Sequence, residues 1–245
     1  MLTTLLPGLR EFRTPLAIGY MWLLTLWLAF HQSVPDRDSA TGIVADIYQL
    51  SDAAGRPGSL AAITLLAYIV GAITEVNSNW LLAAINVVLK HIPRAKPIEW
   101  VTSSASANLA QFVRTRLAPL RPAEAGDREE LEARLWEIIA NDRDQIAIRL
   151  QNSRREMYAD HDRLAAEADF RVNVGIALLG PVAVLSSHDP YFLFSLALPI
   201  WLVFRGLMRL RQSNDVLAQA LVKDQADSSG VTAFMEELAA AAQAS

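Results

Sequence analysis

The sequence predicts an all-α fold, namely a polytopic membrane protein with four transmembrane helices and a cytoplasmic helical stalk. Hydrophobic residues make up 52% of the 245 residues and gather into charge-free blocks, and the segments between the blocks carry helical periodicity. The 22 Lys and Arg residues face 26 Asp and Glu residues, which excludes a chain-wide basic surface for nucleic acid. Because cysteine is absent, the sequence also excludes disulfides, thiolate nucleophiles and cysteine-ligated metals.

Charge-free blocks are the strongest signal, because a helix that crosses about 30 Å of hydrocarbon needs about 20 mostly apolar residues. We predict spans over 14–35, 57–74, 172–188 and 190–204. The last two blocks are short and nearly adjacent, so they predict a tight hairpin. Basic residues precede the first block as in a signal peptide, but no small-residue cleavage site follows it, so we expect a retained anchor.

Basic residues flank the spans on one side only. Lys and Arg cluster before the first and third spans and after the second and fourth, whereas the 36–56 connection has four Asp against two Arg. The positive-inside rule therefore predicts a cell-membrane protein with both termini cytoplasmic. The predicted parts are a cytoplasmic N-terminus with the first span (1–35), an extracytoplasmic loop (36–56), the second span with a cytoplasmic or interfacial extension (57–90), a cytoplasmic helical segment (91–170), a hairpin of two spans (171–205) and a cytoplasmic C-terminal helix and tail (206–245).

The outer loop predicts a short amphipathic helix. Ser39 or Thr41 supplies the N-cap, and Gly55 ends the helix. The apolar side carries Ile43, Val44, Ile47 and Tyr48. The preceding acidic run resembles a calcium loop, but Ala40 and Ile47 occupy positions where a ligand is required, so capping is the better interpretation.

The chain stays apolar after the second span, with Glu75 as the only charge between Pro57 and Leu89. Two interpretations stay open. The helix either bends near 77–79 and lies along the interface, or it runs unbroken from 57 to 90 over roughly 50 Å. In both cases Pro93 and Pro97 end it.

Residues 98–118 predict a cytoplasmic helix that begins after Pro97. Its apolar side, which we expect to be buried, carries Val101, Leu109, Phe112, Val113 and Leu117. The segment 118–126 predicts a linker because it contains Pro119 and Pro122.

The longest predicted helix begins at Asp127, which with Glu130 resembles a capping box. Gly and Pro are absent from 128–173, so we expect this helix to continue into the third span. Its apolar positions recur mostly at spacings of three, four and seven: Leu131, Leu135, Ile138, Ile139, Ile146, Leu150, Met157 and Leu164.

The fourth span also continues beyond the membrane. Its extension shows the alternating spacing of three and four that is typical of a coiled-coil seam, at Leu207, Leu210, Asn214, Leu217 and Leu221. Because the third and fourth spans are antiparallel, their extensions predict an antiparallel stalk. The tail after 228–230 has one weak amphipathic set, Val231, Phe234, Met235 and Leu238, which predicts a frayed terminal helix.

Chemistry-bearing motifs are weak throughout. The four histidines are scattered, and the side chains of Asp160, His161 and Asp162 diverge on a helix, so the favoured interpretation is an exposed contact between Asp160 and Arg163. The sequence has no glycine-rich phosphate loop and no nucleophile elbow. We therefore predict no catalytic residue, no metal site and no cofactor.

A basic cluster follows the second span, at Lys90, Arg94 and Lys96. These residues are candidates for binding anionic lipid headgroups, at about 1 kcal/mol each near the surface. The ordinary positive-inside bias explains the same cluster and is the favoured interpretation.

A polar and small stripe is the second candidate site. If the second helix is continuous, the stripe residues fall within about 100° of one another: Thr64, Tyr68, Gly71, Glu75, Asn79 and Asn86, the candidate pore-lining residues, together with Ser78. They could line a pore in an oligomer, with Glu75 attracting cations at the mouth. Helix packing through small residues such as Ala67 and Gly71 is the alternative, and we favour it.

These observations predict a non-catalytic integral membrane protein that acts through its cytoplasmic helices as an oligomeric scaffold or signalling component. The alternative is an oligomeric ion channel or pore lined by the second transmembrane helix, and a membrane enzyme ranks third. The expected partners are the lipid bilayer, further copies of the chain and a cytoplasmic protein, with no nucleic acid. The order of spans and cytoplasmic segments is similar to that of bestrophin channels, in layout only.

Overall fold

The computed structural model describes residues 6–94, 97–117 and 125–244, and all regular structure in these ranges is helical. The helices are α1 (Leu6–Phe30), α2 (Ile43–Thr74), α3 (Ser78–Lys90), α4 (Ser103–Leu117), α5 (Ala125–Asn141), α6 (Arg143–Ser153), α7 (Arg155–His188), α8 (Ala197–Val222) and α9 (Ser229–Ala244). Short 3-10 helices cover His31–Ser33 and Pro190–Leu196. The all-α class is confirmed.

The chain divides into two compact units. Unit 1 comprises Met1–Leu81 and Asp169–Leu207, and unit 2 comprises Leu82–Ala168 and Met208–Ser245. Helices α3, α7 and α8 each contribute residues to both units.

Among the described residues, four segments are long and apolar enough to cross a membrane, which is the number that the sequence predicts. They are Phe12–Ser33, Ile43–Thr74, Arg155–His188 and Pro190–Val222. The last two are longer than their apolar blocks, because α7 and α8 both continue past the charge-free stretch. By length and composition, these four segments have the character of membrane spans.

Helix α2 contains the predicted break at Gly55. This glycine has φ +64 and ψ 179, a backbone conformation that favours glycine, so the amphipathic helix predicted within 36–56 ends there as expected. The predicted N-cap is wrong. The cap residue is Gly42, which has φ +59, and the Ser39 hydroxyl instead donates to the Asp36 carbonyl within the preceding turn.

Unit 1 is packed through glycines. A Cβ atom at Gly19 would overlap the backbone of Ala67, and one at Gly71 would overlap the backbone of Pro15, so α1 and α2 approach closely. Gly180 of α7 lies against Thr25 of α1, where an added Cβ would be 2.6 Å from the hydroxyl oxygen. Large apolar side chains of α1, α2 and the unit 1 part of α8 are exposed, among them Leu24, Leu65, Leu66, Ile200, Trp201 and Phe204.

Unit 2 has a core in which large side chains pack with alanines. The large buried members come from α4, α5, α6, α8, α9 and the loop before α4: Val101, Leu109, Val113, Leu135, Ile139, Ile146, Leu150, Leu217, Leu221, Val231 and Phe234. The buried alanines are Ala105, Ala218, Ala220 and Ala226. The predicted stalk is therefore corrected. Inside unit 2 the two long helices do run antiparallel, since His161 pairs with Ser213 and Glu167 with Arg209, but the seam belongs to a core built from several helices.

The terminal helix α9 is also part of this core, so the prediction of a frayed tail is wrong. Val231 and Phe234 are buried, and Met235 and Leu238 pack against them. The start of α9 is held by Asp142, whose carboxylate accepts hydrogen bonds from the Ser228 hydroxyl at 2.6 Å and the Gly230 N–H at 2.8 Å.

The predicted unbroken helix from 128 to 173 is three helices. The chain bends at Asp142, between α5 and α6, and again at Arg154, which has φ −142 and ψ 77. Helix α6 packs against the turn between α8 and α9, since Arg149 donates to the Asp227 carbonyl and Ser153 to the Gln225 carbonyl.

The helix predicted over 98–118 begins five residues later, at Ser103. Three side chains of α8 hold the preceding backbone in a loop. Arg211 donates to the Val101 carbonyl, Asn214 to the Trp100 carbonyl at 2.8 Å, and the Asp215 carboxylate accepts from the N–H and hydroxyl of Thr102. Residues 118–124 of the linker predicted over 118–126 lie outside the described residues, and its last two, Ala125 and Gly126, already belong to α5. The Asp127 side chain of the capping box also lies outside the described part.

Candidate functional site: the junction between α2 and α3

The candidate site lies in unit 1, where the chain leaves α2. Helix α2 ends at Thr74, Glu75 has extended backbone with φ −64 and ψ 129, and α3 begins at Ser78. Asn77 caps α3, because its side-chain oxygen accepts from the N–H groups of Asn79 and Trp80. Of the two interpretations of the second helix, the bend is confirmed and the unbroken helix is wrong.

Two side chains of α7 hold this junction. Asn173, which is 2% exposed, accepts from the Val76 N–H at 2.7 Å and donates to the Val76 carbonyl at 2.8 Å. Asp169 accepts from the Ser78 N–H at 3.2 Å. Backbone groups that the break removes from the helical ladder are thus paired with side chains of α7.

Negative charge is concentrated at the junction. The side chain of Glu75 is exposed, yet desolvation by the neighbouring structure and, second, the negative charge of Asp169 raise the pKa of its carboxyl. The carbonyl end of α2 adds a partial negative charge beside Glu75. The Ser78 hydroxyl is fully buried and has no hydrogen-bond partner among the described residues. Chemically, the arrangement favours a proton or a cation over an anion.

Three of the candidate pore-lining residues contact α1. The Thr64 hydroxyl lies 2.6 Å from the Tyr20 hydroxyl, the rings of Tyr68 and Phe12 are 5.3 Å apart, and Gly71 packs against the backbone of Pro15. These contacts are those that the packing interpretation predicts.

The other three candidates follow the end of α2. Glu75 is the C-cap residue, Asn79 is exposed in the first turn of α3, and Asn86 pairs with the backbone of Ile98 in both directions, at 2.9 and 2.7 Å. The six residues therefore do not form one continuous helical stripe, because the extended residues after Thr74 break the 3.6-residue period.

The candidate headgroup residues Lys90 and Arg94 are both exposed, at the end of α3 and in the turn that follows it. Lys96 lies outside the described residues. The predicted contact between Asp160 and Arg163 is present at 3.3 Å. Within the described part of the chain, no group of three or more His, Asp or Glu side chains could hold a metal ion.

The sequence analysis did not identify Asp169 and Asn173 as site residues. Asn173 is a lone amide at the start of an apolar block, and a polar side chain there must find a partner inside the protein. That signal identifies Asn173 as an internal contact but does not identify Val76 as its partner.

No family model, no curated protein and no solved structure matches the chain.

Proposed function

We propose that this chain is a non-catalytic integral protein of the cell membrane that acts through unit 2 as an oligomeric scaffold or signalling component. The observation that carries the proposal is the division of the chain. Helices α7 and α8 supply two candidate spans and also contribute residues to unit 2, which has its own core. A change in the packing of unit 2 acts on the same two helices that supply spans, as a signalling component requires.

The proposed topology places both termini and unit 2 in the cytoplasm. It is supported by the basic residues beside the ends of the spans and by the acidic loop at 36–56. Cysteine is absent from the chain, so single cysteines in place of exposed Gln49 and Gln151 can be labelled with a membrane-impermeant maleimide in whole cells. We expect labelling of Gln49→Cys before lysis and of Gln151→Cys only after it. Labelling of both before lysis would overturn the topology.

The scaffold proposal requires several copies of the chain. We would measure the mass per particle in mild detergent and cross-link acidic residues in a mixture of isotopically light and heavy chains. The proposal expects more than one chain per particle, with light-to-heavy cross-links between residues of unit 2. A monomer without cross-links at all protein concentrations would contradict it.

An oligomeric ion channel or pore lined by α2 is the second candidate. The negative charge at the junction favours it, since Glu75 and Asp169 lie where α2 ends and would attract cations to a pore entrance. Contacts of Thr64, Tyr68 and Gly71 with α1 favour packing instead, which is why this function ranks second.

Ion flux in liposomes separates the two candidates. A channel gives cation flux from the purified chain, and Glu75→Gln lowers the preference for cations, while Glu99→Gln in unit 2 serves as the control. A scaffold that is not a channel gives no flux in any lipid or at any voltage, whatever its oligomeric state.

A further inference from the structure

Helix α3 has apolar side chains on two sides. Leu82 is buried, while Trp80 is 67%, Val87 56% and Val88 61% exposed. These three exposed positions recur at the helical spacings of seven and eight, and Ile92, 49% exposed, continues the patch in the following turn. We name Trp80, Val87, Val88 and Ile92 the α3 patch. A patch of this kind on a short helix needs something other than water to cover it.

The chain connection indicates what covers the patch. Helix α2 is a candidate span that ends at Thr74, and α3 begins at Ser78, so four peptide steps of at most about 3.6 Å separate them. The first turn of α3 therefore lies within about 14 Å of the end of a helix suited to lipid. With 13 residues, α3 is about 20 Å long, enough to lie in the interface but too short to cross the membrane.

Charge complementarity indicates the kind of lipid. Between Glu75 and Glu99 the sequence has no acidic residue, and its charged side chains there are Lys90, Arg94 and Lys96. The described two, Lys90 and Arg94, are exposed at the end of the α3 patch. Apolar side chains beside an all-basic group are the combination that binds anionic headgroups above and acyl chains below.

We propose that α3 is an interfacial helix that rests its patch on an anionic lipid surface, with Lys90 and Arg94 against the headgroups. The inference rests on the proposed membrane function and names the lipid class that the protein contacts outside its spans. This interaction differs from the positive-inside bias, because that bias concerns only the orientation of the spans and does not require the α3 patch to enter the lipid.

Depth measurements on the full chain in lipid nanodiscs test the proposal. A fluorophore is attached to single cysteines at Val88, Ile148 and Leu66, which are 61%, 58% and 49% exposed. Ile148 is the matched control in unit 2, and Leu66 reports on a span. Nitroxide-bearing lipid should quench the Val88→Cys label severalfold more than the Ile148→Cys label, while aqueous iodide shows the reverse order.

The three positions separate the ways in which the proposals fail. If the Leu66→Cys label is not quenched by lipid, membrane insertion itself is wrong. If Leu66→Cys is quenched but Val88→Cys is as open to iodide as Ile148→Cys, the interfacial helix alone is wrong. Shielding of Val88→Cys from both quenchers means that protein covers the patch, which also overturns the proposal.

Lipid charge gives the second readout. In nanodiscs of equal parts phosphatidylcholine and phosphatidylglycerol, the Val88→Cys label should be quenched more than in phosphatidylcholine alone, and added salt should reduce the difference. The double substitution Lys90→Gln with Arg94→Gln should remove the dependence on phosphatidylglycerol. The control pair Arg154→Gln with Arg155→Gln, at exposed arginines of unit 2, should leave it unchanged. Equal quenching in both lipids would overturn the anionic preference.

Discussion

Both units of this chain are helical, but backbone contacts through glycine distinguish unit 1, which also buries Ile18 and Val172, and a core rich in large side chains distinguishes unit 2. In unit 1, Gly19 and Gly71 bring two helices into backbone contact, and large side chains such as Leu66 face outward. In unit 2, large side chains such as Leu109 and Ile139 are fully buried. Lipid gives apolar side chains no reason to turn inward, so helices in it associate through small residues, whereas water drives large side chains into a core.

Polar side chains secure a break between helices in each unit. At the junction in unit 1, Asn173 pairs both backbone groups of half-buried Val76. In unit 2, half-buried Asp142 holds the start of α9 through Gly230 and through Ser228, which is 2% exposed. The units therefore differ in how their helices pack and are alike in how these polar groups are paired.

The largest expected effect is that of one charge on an outward apolar side chain in each unit. Leu66→Asp puts a carboxylate near the middle of a span and should cost about 3 to 4 kcal/mol of insertion free energy. Ile148→Asp, at a similarly exposed position of unit 2, should cost little. The fraction of chain that resists alkaline carbonate extraction measures the difference, and equal fractions would remove the contrast between the units.

Truncation of isoleucine sharpens the comparison within unit 2. Ile139 is fully buried, so Ile139→Ala should lower the free energy of unfolding of unit 2 by about 2 to 4 kcal/mol. Ile148→Ala, at a side chain 58% exposed, should change it by less than about 0.5 kcal/mol. Hydrogen exchange of α4, α5 and α9 gives the measurement, and similar effects of the two substitutions would contradict the assigned core.

The polar contacts of the two units give the next test. Asn173→Ala leaves the N–H and carbonyl of half-buried Val76 without their side-chain partner and should cost about 2 kcal/mol. Asp142→Ala removes two hydrogen bonds to a carboxylate, one of them from the buried Ser228 hydroxyl, and should also cost about 2 kcal/mol. Exchange rates of the 74–78 and 226–231 amides report each effect locally. A loss below about 0.5 kcal/mol from either substitution would contradict the assigned pairing.

The smallest expected effect concerns pH. The pKa of Glu75 is raised in the folded chain, so ionisation of this carboxyl opposes folding. The stabilisation that goes with the protonated carboxyl is complete below the unfolded pKa and is lost as pH rises through the folded pKa. Glu75→Gln should therefore raise the melting temperature slightly at about pH 7.5 and leave it unchanged at about pH 4. The same two melts of Glu99→Gln, in unit 2, are the control, and a lower melting temperature of Glu75→Gln at the higher pH would contradict the assigned desolvation and the repulsion by Asp169.

Local patterns predicted the features that local physics determines. The four apolar blocks, the end of the short amphipathic helix at Gly55 and the contact between Asp160 and Arg163 all depend on residues close together in the sequence. The breaks after Thr74 and at Asp142 contain neither Gly nor Pro. They are stabilised by partners 97 and 86 residues away, Asn173 for Val76 and Ser228 for Asp142, and no periodicity analysis of the local segment contains that information.

The break between α2 and α3 also allows the length of α2 to change in evolution without turning the side chains of α3. In one unbroken helix, a residue inserted into the span would turn every later side chain by about 100° and carry the Asn86 pairing and the exposed patch to another side. Here the extended residues after Thr74, which Asn173 holds by hydrogen bonds, separate the two helices. The directions of the α3 side chains therefore follow from where α3 begins, at Ser78, and not from the length of α2. Membrane thickness can therefore select the length of α2 while the contacts of α3 keep their direction.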